Sequence, residues 1–176
     1  GQEITSLLQE KGIPVNYLTT SKEKITKDND YKGFYWNPSK GKIDLDCFEG
    51  VQAIINLAGT TIAKRWTPAH KKKVLSSRIK SISTLKKGLE EFGASDVECF
   101  VSASAIGIYP DSPSNFYEED TNQVANGFLG EVVEKWEAET DTLSELDMKV
   151  AKVRIGVVLS REGGALPKMA MPIKNF

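Results

Sequence analysis

Two short apolar runs, each ending in small or polar residues, constrain the fold of this chain most strongly. They cover residues 51–59 and 98–102, and such runs are typical of strands buried on both faces of a parallel sheet. Between them, residues 68–92 repeat apolar side chains at helical spacing and end before Gly93, a residue type that commonly closes a helix. Because strands that alternate with helices form parallel sheets, the sequence predicts an α/β fold.

The other segments extend this alternation. The sequence predicts a helix over residues 2–11, strands over 13–19 and 33–36, a loop over 111–126, a helix over 127–146 and a strand over 149–155. This order predicts a doubly wound parallel sheet with right-handed crossovers, in which ligands bind beyond the carboxyl ends of the strands. The small and polar residues at those ends form the candidate site: residues 19–20, 56–59, 102–104 and 154–158.

Charge and cysteine content exclude several classes of function. The 176 residues include 23 Lys and Arg and 24 Asp and Glu, a net charge of −1, so the chain lacks the basic surface that non-specific nucleic-acid binding needs. No apolar run approaches the roughly 18 residues that a membrane span requires. With two distant cysteines, Cys47 and Cys99, and one histidine, His70, we expect no metal site and a reducing, cytoplasmic location.

Both ends of the sequence are interpreted as cuts within a longer protein. Gly1 begins directly inside a helical pattern that has no residue before it to act as a cap. At the other end, residues 169–176 stop in an apolar stretch without a closing polar turn.

Seven short motifs, in order along the chain, point to one superfamily. They are Asn-Leu-Ala-Gly at 56–59, Arg-Trp-Thr at 65–67, Ser-Arg-Ile at 77–79, Ser-Ala-Ser-Ala-Ile-Gly-Ile-Tyr at 102–109, Lys-Trp-Glu at 135–137, Arg-Ile-Gly-Val-Val-Leu at 154–159 and Gly-Gly-Ala-Leu at 163–166. Together they resemble the extended short-chain dehydrogenase/reductase superfamily, and more closely its atypical branch of epimerase-family proteins with unassigned substrates. The resemblance implies a Rossmann-like dinucleotide-binding domain over residues 1–176. It also implies that the family's first strand, its glycine-rich loop and most of its substrate cap lie outside this sequence.

The resemblance further implies a dinucleotide cofactor and gives a set of candidate binding residues. They are Gly1, Thr19, Thr20, Leu57, Ala58, Gly59, Lys73, Arg78 and Val158. Gly1 would allow close approach of the pyrophosphate to the first helix, and the planar guanidinium of Arg78 suits a phosphate or a carboxylate. Lys73 belongs to a run of three lysines, so a solvated side chain is the alternative interpretation.

The segment after residue 19 indicates which dinucleotide binds. Members that use NAD carry Asp or Glu here for the ribose hydroxyls, whereas this chain has Thr19 and Thr20 and no acidic residue before Glu23. Since a carboxylate would repel the 2′-phosphate of NADP, its absence favours NADP(H) over NAD(H). The family often has arginine where Thr20 stands, and Lys22 is a candidate substitute as the phosphate partner.

Catalysis in this superfamily uses a serine together with a tyrosine and a lysine four residues apart. Ser104 matches the serine, with Ser102 as an alternative. Leu129 and Val133 stand where the tyrosine and the lysine are expected. The usual acid/base pair is therefore missing from this sequence.

Two replacements for the missing acid or base are considered. One is Tyr109, which follows Ser104 closely; the other is Glu131 or Glu134, provided that burial raises the pKa. We expect an NADP(H)-dependent oxidoreductase or epimerase that acts on an unidentified small substrate. The alternatives are a non-catalytic NADP(H)-binding protein that reports redox state or acts through a partner, and a structural domain that binds no cofactor.

Overall fold

A computed structural model of the chain describes residues 1–93, 96–160 and 163–174. The strands are β1 (Val15–Thr19), β2 (Lys27–Asp28), β3 (Tyr31–Asn37), β4 (Lys42–Ile43), β5 (Ala53–Asn56), β6 (Cys99–Ala105), β7 (Lys149–Ile155), β8 (Leu159–Ser160) and β9 (Gly163–Gly164). The helices are α1 (Gln2–Glu10), α2 (Pro68–Phe92), α3 (Phe128–Asp141) and α4 (Leu166–Lys174). The α-helices separate β5, β6 and β7 but not the first five strands. Short 3₁₀ helices occupy Lys22–Lys24, Pro38–Lys40, Leu45–Phe48, Ile106–Ile108 and Thr142–Leu146.

Parallel pairing builds two sheets in the described part of the chain. In one, β5, β6 and β7 lie side by side, with Ile54 opposite Phe100 and Phe100 opposite Val150. In the other, β1 and β3 are parallel from Val15 opposite Tyr31 onwards, and β2 and β4 pair antiparallel with β3. The sheet β5–β6–β7 therefore brings the carboxyl ends of three strands to one edge, where the candidate site is expected.

β1 and β3 begin at Val15 and Tyr31 rather than at residues 13 and 33, and the carboxyl ends of β5 and β6 also differ from the predicted ones. β5 ends at Asn56 rather than at residue 59, because the side-chain Oδ1 of Asn56 accepts the backbone N–H of Ala58 at 3.2 Å and turns the chain out of the sheet. β6 continues to Ala105 rather than ending at residue 102, because its pairing with β7 extends until Ala105 lies opposite Ile155.

Helix ends follow capping chemistry. α2 has the predicted bounds because the Thr67 hydroxyl accepts the N–H of His70 at 3.2 Å and Gly93 closes the helix with φ 70°. α3 ends at Asp141, earlier than predicted, and a 3₁₀ helix continues the chain to Asp147, which has φ 55°. None of the described helices combines the length and the apolar character needed to cross a membrane.

The core lies between the sheet β5–β6–β7 and helices α2 and α3. Phe100 on β6 and Ile82 on α2 are both 0% exposed, and Trp136 on α3 packs in the same cluster. On the opposite face of the sheet, Ile55 and Val153 are 44% and 48% exposed. The prediction that these strands are buried on both faces is therefore wrong for the described residues, because α2 and α3 cover only one face.

One glycine of α3 tests this packing. Alanine normally stabilises a helix over glycine by about 1 kcal/mol, but a Cβ on Gly130 would lie 1.9 Å from the carbonyl oxygen of Ala125. We expect Gly130→Ala to lower the free energy of unfolding by about 1–3 kcal/mol, measured by urea denaturation. The control is Gly107→Ala, whose Cβ would meet the Leu129 side chain at an ordinary 3.8 Å. Equal stability of the two variants would contradict this account.

Candidate functional site

The loop after β5 is fastened to α2 by backbone and hydroxyl groups. The Thr60 N–H donates to Ser77 Oγ at 2.9 Å, and the Ser77 hydroxyl donates to the carbonyl of Val74 at 3.0 Å. Asn56, at the start of this loop, is 4% exposed. Its Nδ2 is buried and has no hydrogen-bond partner among the described residues. The loop therefore contains a buried N–H donor that no described protein atom satisfies.

Arg78 on α2 lies against this loop. Its Nη1 donates to the carbonyls of Thr60 at 3.2 Å and Val74 at 3.0 Å, and its Cζ lies 5.0 Å from the centre of the Trp136 ring. Burial lowers the pKa of the guanidinium. No ion pair in the described part of the chain includes Arg78. Its Nε and Nη2 also lack a described protein acceptor, so this half-buried guanidinium has N–H groups that a ligand could bind.

Gly59 keeps the space beside Arg78 open. A Cβ at Gly59 would lie 3.3 Å from Arg78 Cζ, closer than most such contacts. A larger residue would therefore press on the guanidinium, whereas glycine leaves the backbone accessible.

A second arginine belongs to a buried ion pair. Glu137 on α3 is 6% exposed. Arg154 on β7 donates Nε to Glu137 Oε1 and Nη2 to Glu137 Oε2, both at 2.9 Å. The Ser104 hydroxyl also donates to Glu137 Oε1, and Lys152 Nζ lies 4.0 Å from Oε2. These contacts join α3 to β6 and β7.

The charge state of this pair follows from its contacts. Burial alone raises the pKa of Glu137, but the hydrogen bonds from Arg154 and Ser104 and the charges of Arg154 and Lys152 outweigh burial, so the pKa is lowered overall. The hydrogen bond to Glu137 raises the pKa of Arg154. Both groups are therefore charged at neutral pH, and the carboxylate is occupied as an acceptor.

The free edge of Arg154 contacts the segment that follows β6. Its Nη1 donates to the Tyr109 phenol oxygen at 2.7 Å and to the Glu119 carbonyl at 3.0 Å. The Tyr109 ring stacks on Tyr117 with centroids 5.6 Å apart and an interplanar angle of 8°. Ser104 and Tyr109, the two catalytic candidates, are thus linked through Glu137 and Arg154.

The segment after β1 contains the candidate residues for the cofactor ribose. Thr19 accepts the N–H of Ser21 at 3.2 Å through Oγ1, and Thr20 is exposed. Lys22 Nζ lies 5.4 Å from the centre of the Tyr35 ring. Thr19 and Tyr35 are directly opposite each other in the β1–β3 pair.

The remaining cofactor candidates have less defined surroundings. Gly1 is the exposed residue before α1, Lys73 is exposed, and the side chains of Leu57 and Val158 are 42% and 70% exposed. Ala58 is half-buried and donates its N–H to Asn56. Their roles in cofactor binding stay predictions.

The alternative carboxylate bases lack the burial that their proposed role requires. Glu131 and Glu134 are both exposed on α3, and Glu131 forms an ion pair with Lys135 at 2.6 Å. Among the described residues, no group of three or more His, Cys, Asp or Glu side chains is arranged to hold a metal ion.

Glu137 is the site residue that sequence reasoning missed, together with its pairing to Arg154. Arg154 falls within the predicted site residues 154–158, but the sequence assigns it no specific role. The available signal was the position of Glu137 on α3, where it follows Trp136 directly and lies on the buried stripe with Val133 and Thr140. An acidic residue within a buried helical stripe needs a cationic partner.

Comparisons with known proteins relate the chain to epimerase family proteins. No family model matches it. It is 32% identical over 178 residues to an epimerase family protein of Staphylococcus haemolyticus, and 34% identical over 176 residues to one of Staphylococcus aureus strain N315. Each alignment covers 100% of this chain and 57% of the relative. The chain thus spans little more than half the length of the curated relatives it matches.

Solved structures agree with these sequence matches. A nucleoside-diphosphate sugar epimerase of Corynebacterium glutamicum matches with a TM-score of 0.79 and 26% identity, over 100% of this chain and 35% of that one. The human epimerase family protein SDR39U1 (isoform 2), solved with NADPH, matches with a TM-score of 0.74 and 25% identity, over 99% of this chain and 56% of that one. The predicted Rossmann-like α/β fold and the predicted resemblance are confirmed.

The buried ion pair predicts a pH-dependent stability. Glu137→Gln leaves the charge of Arg154 without its partner, so we expect a loss of about 3 kcal/mol in the free energy of unfolding at pH 7. Because the folded-state pKa of Glu137 is lowered, this stabilisation is present above the ordinary value near 4.5 and is lost as pH falls through the folded-state value. Urea denaturation at several pH values measures the difference, which should shrink below pH 4.5.

The matched control is Glu131→Gln, which removes an exposed ion pair from the same helix. Exposed pairs of this kind contribute little, so this variant should resemble the natural protein across the pH range. A pH-independent loss for Glu137→Gln, or equal losses for both variants, would contradict the account.

Proposed function

Because the chain belongs to the epimerase family of short-chain dehydrogenases/reductases, we propose that it binds a nicotinamide dinucleotide at the carboxyl edge of its parallel strands. The proposed activity is that of an oxidoreductase or epimerase on a small-molecule substrate. The proposal rests on this chain's own residues as well as on its relatives, since one fold hosts many functions.

The observation that carries the proposal is the unpaired state of Arg78. Half-buried charges in proteins are normally paired, yet the two hydrogen bonds that this guanidinium makes within the described part of the chain both go to backbone carbonyls. The Nδ2 of Asn56, at the end of β5, is also a buried donor without a described partner. The unpaired donors of Arg78 fit a ligand rich in acceptors, and the phosphate oxygens of a dinucleotide are such acceptors. Because Gly59 has no side chain, it leaves room for a phosphate beside the Arg78 guanidinium.

NADP(H) is the proposed form of the cofactor. Lys22 supplies a positive charge just after β1, and its position over Tyr35 holds the ammonium near the end of that strand. Thr19 and Thr20 present hydroxyls there instead of a carboxylate. The NADPH in the human relative's structure supports this preference.

The chemistry proposed for the site combines the cofactor with the two linked candidates. A bound nicotinamide would supply hydride transfer. Tyr109 is the proposed hydrogen-bonding group for the substrate oxygen. Ser104 is 4% exposed and donates its hydroxyl hydrogen to Glu137, so we propose that it acts through that carboxylate.

A second candidate function is non-catalytic NADP(H) binding. It is favoured by the apolar residues Leu129 and Val133 at the positions where the superfamily's tyrosine and lysine are expected; Val133 is 3% exposed and belongs to the interior. Cofactor binding without turnover of any substrate would favour this second function.

Calorimetric titration with NADPH and NADH tests the proposal. We expect NADPH to bind more tightly than NADH. Arg78→Met should weaken both cofactors by about tenfold or more, because a charge-assisted hydrogen bond of about 1.5–3 kcal/mol is lost. Lys72→Met, an exposed neighbour on the same helix, should leave both affinities unchanged. Circular dichroism confirms that each variant is folded before titration.

Lys22→Ala separates the choice of cofactor from binding itself. We expect it to weaken NADPH and to leave NADH unchanged, because only NADPH carries the 2′-phosphate. Equal affinities for the two cofactors in the natural protein would contradict the NADP preference. Failure of both to bind would overturn the proposed function and leave a domain without a cofactor.

A further inference from the structure

The contacts around Tyr109 determine which groups donate hydrogen bonds and which accept them. A guanidinium has five N–H donors and no acceptor. Arg154 uses Nε and Nη2 on the Glu137 carboxylate and Nη1 on the Tyr109 oxygen and the Glu119 carbonyl. Tyr109 must therefore be the acceptor in its contact with Arg154. Its own phenol hydrogen has no protein acceptor in the described part of the chain.

The same assignment of donors and acceptors shows that Ser104 donates its hydroxyl hydrogen within the protein. A carboxylate accepts hydrogen bonds and donates none, so the contact with Glu137 commits the Ser104 hydroxyl hydrogen. Ser104 is also 4% exposed, whereas Tyr109 is only partly buried. Of the two candidates, Tyr109 alone has a hydrogen to give to a ligand.

We propose that Arg154, oriented by Glu137, is the positioning residue that presents the Tyr109 phenol as a hydrogen-bond donor to a carbonyl or carboxylate oxygen of the substrate. This rests on the proposed function and deepens it, because it assigns the recognition of that oxygen. As a cation beside the tyrosine oxygen, the guanidinium resembles the superfamily's lysine in role but not in position, because it comes from β7 rather than from α3.

Three contacts give this arrangement its rigidity. The two-pronged pairing with Glu137 fixes the plane of Arg154. The Tyr109 ring stacks on Tyr117 and lies close to the guanidinium, whose Cζ is 5.1 Å from the ring centre. The Ala125 N–H donates to the Ile108 carbonyl at 2.7 Å and fastens the far end of the segment after β6. Rotation of the phenol is thus restricted by the stacking on Tyr117 and by the hydrogen bond at its oxygen.

The first readout needs no substrate. With ¹³Cζ-labelled tyrosine, the Tyr109 resonance is identified by its loss in Tyr109→Phe. We expect Arg154→Met to shift that resonance, while Tyr17 and Tyr31, which stack on each other elsewhere, stay unchanged. Glu137→Gln should shift it in the same direction. The control is Lys149→Met, an exposed lysine on the same strand as Arg154, which should leave the Tyr109 resonance in place.

The second readout is NADPH-dependent reduction of 9,10-phenanthrenequinone, a carbonyl probe, by the cofactor-loaded protein. We expect Tyr109→Phe and Arg154→Met to lower kcat by roughly 10²-fold, with the dissociation constant of NADPH unchanged. Arg154→Lys should retain more stability than Arg154→Met but should not restore kcat to that of the natural protein. The ammonium of lysine lacks the planar pair of donors that binds both oxygens of a carboxylate. Combining Glu137→Gln with Arg154→Met should cost no more kcat than Arg154→Met alone, since Glu137 acts through Arg154.

Two results would overturn the inference while leaving the proposed function intact. They are an unchanged Tyr109 resonance in Arg154→Met and a kcat within about twofold of the natural protein in that variant. NADPH binding without any reduction of the probe by the natural protein would overturn the inference and favour the second candidate function, non-catalytic binding. Failure of the natural protein to bind NADPH would instead contradict the proposed function, and the inference with it.

Discussion

The pairing of Glu137 with Arg154 is the interaction on which the candidate site depends. It joins α3 to β7, holds the Ser104 hydroxyl of β6 and leaves one edge of the guanidinium for Tyr109. A buried carboxylate without a cation would be costly, so these elements must be assembled together. The contacts that stabilise the packing of α3 on the sheet therefore also determine the geometry of the segment that follows β6.

The two arginines near this edge differ in a way that matters for function. Arg154 has a carboxylate partner and its charge is neutralised within the protein. Arg78 lies over the Trp136 ring, donates its described hydrogen bonds to backbone carbonyls and has no described carboxylate partner. The first is suited to holding protein groups in place, and the second is suited to attracting an anion. The two guanidinium groups are chemically identical, so the difference in role follows from the residues that surround each of them.

Much of the fold could be predicted from the sequence, because apolar periodicity and caps are local signals. The bounds of α2 follow from Thr67 and Gly93, and β7 was predicted with its observed ends. The open sheet face at Ile55 could not be predicted, since burial depends on which elements pack against a strand. The Glu137–Arg154 pair was missed for the same reason: their separation in sequence gives no sign that they meet, and only the packing of α3 on β7 brings them together.

The most direct test of the central claim is to map the binding of NADPH onto the backbone amides by ¹⁵N NMR. The account predicts chemical-shift changes that cluster at residues 19–22 and 57–60 and at Val158, with smaller changes on the open sheet face near Val153. Changes confined to other regions, or no changes at saturating NADPH, would contradict the claim that the carboxyl edge of these strands binds the dinucleotide.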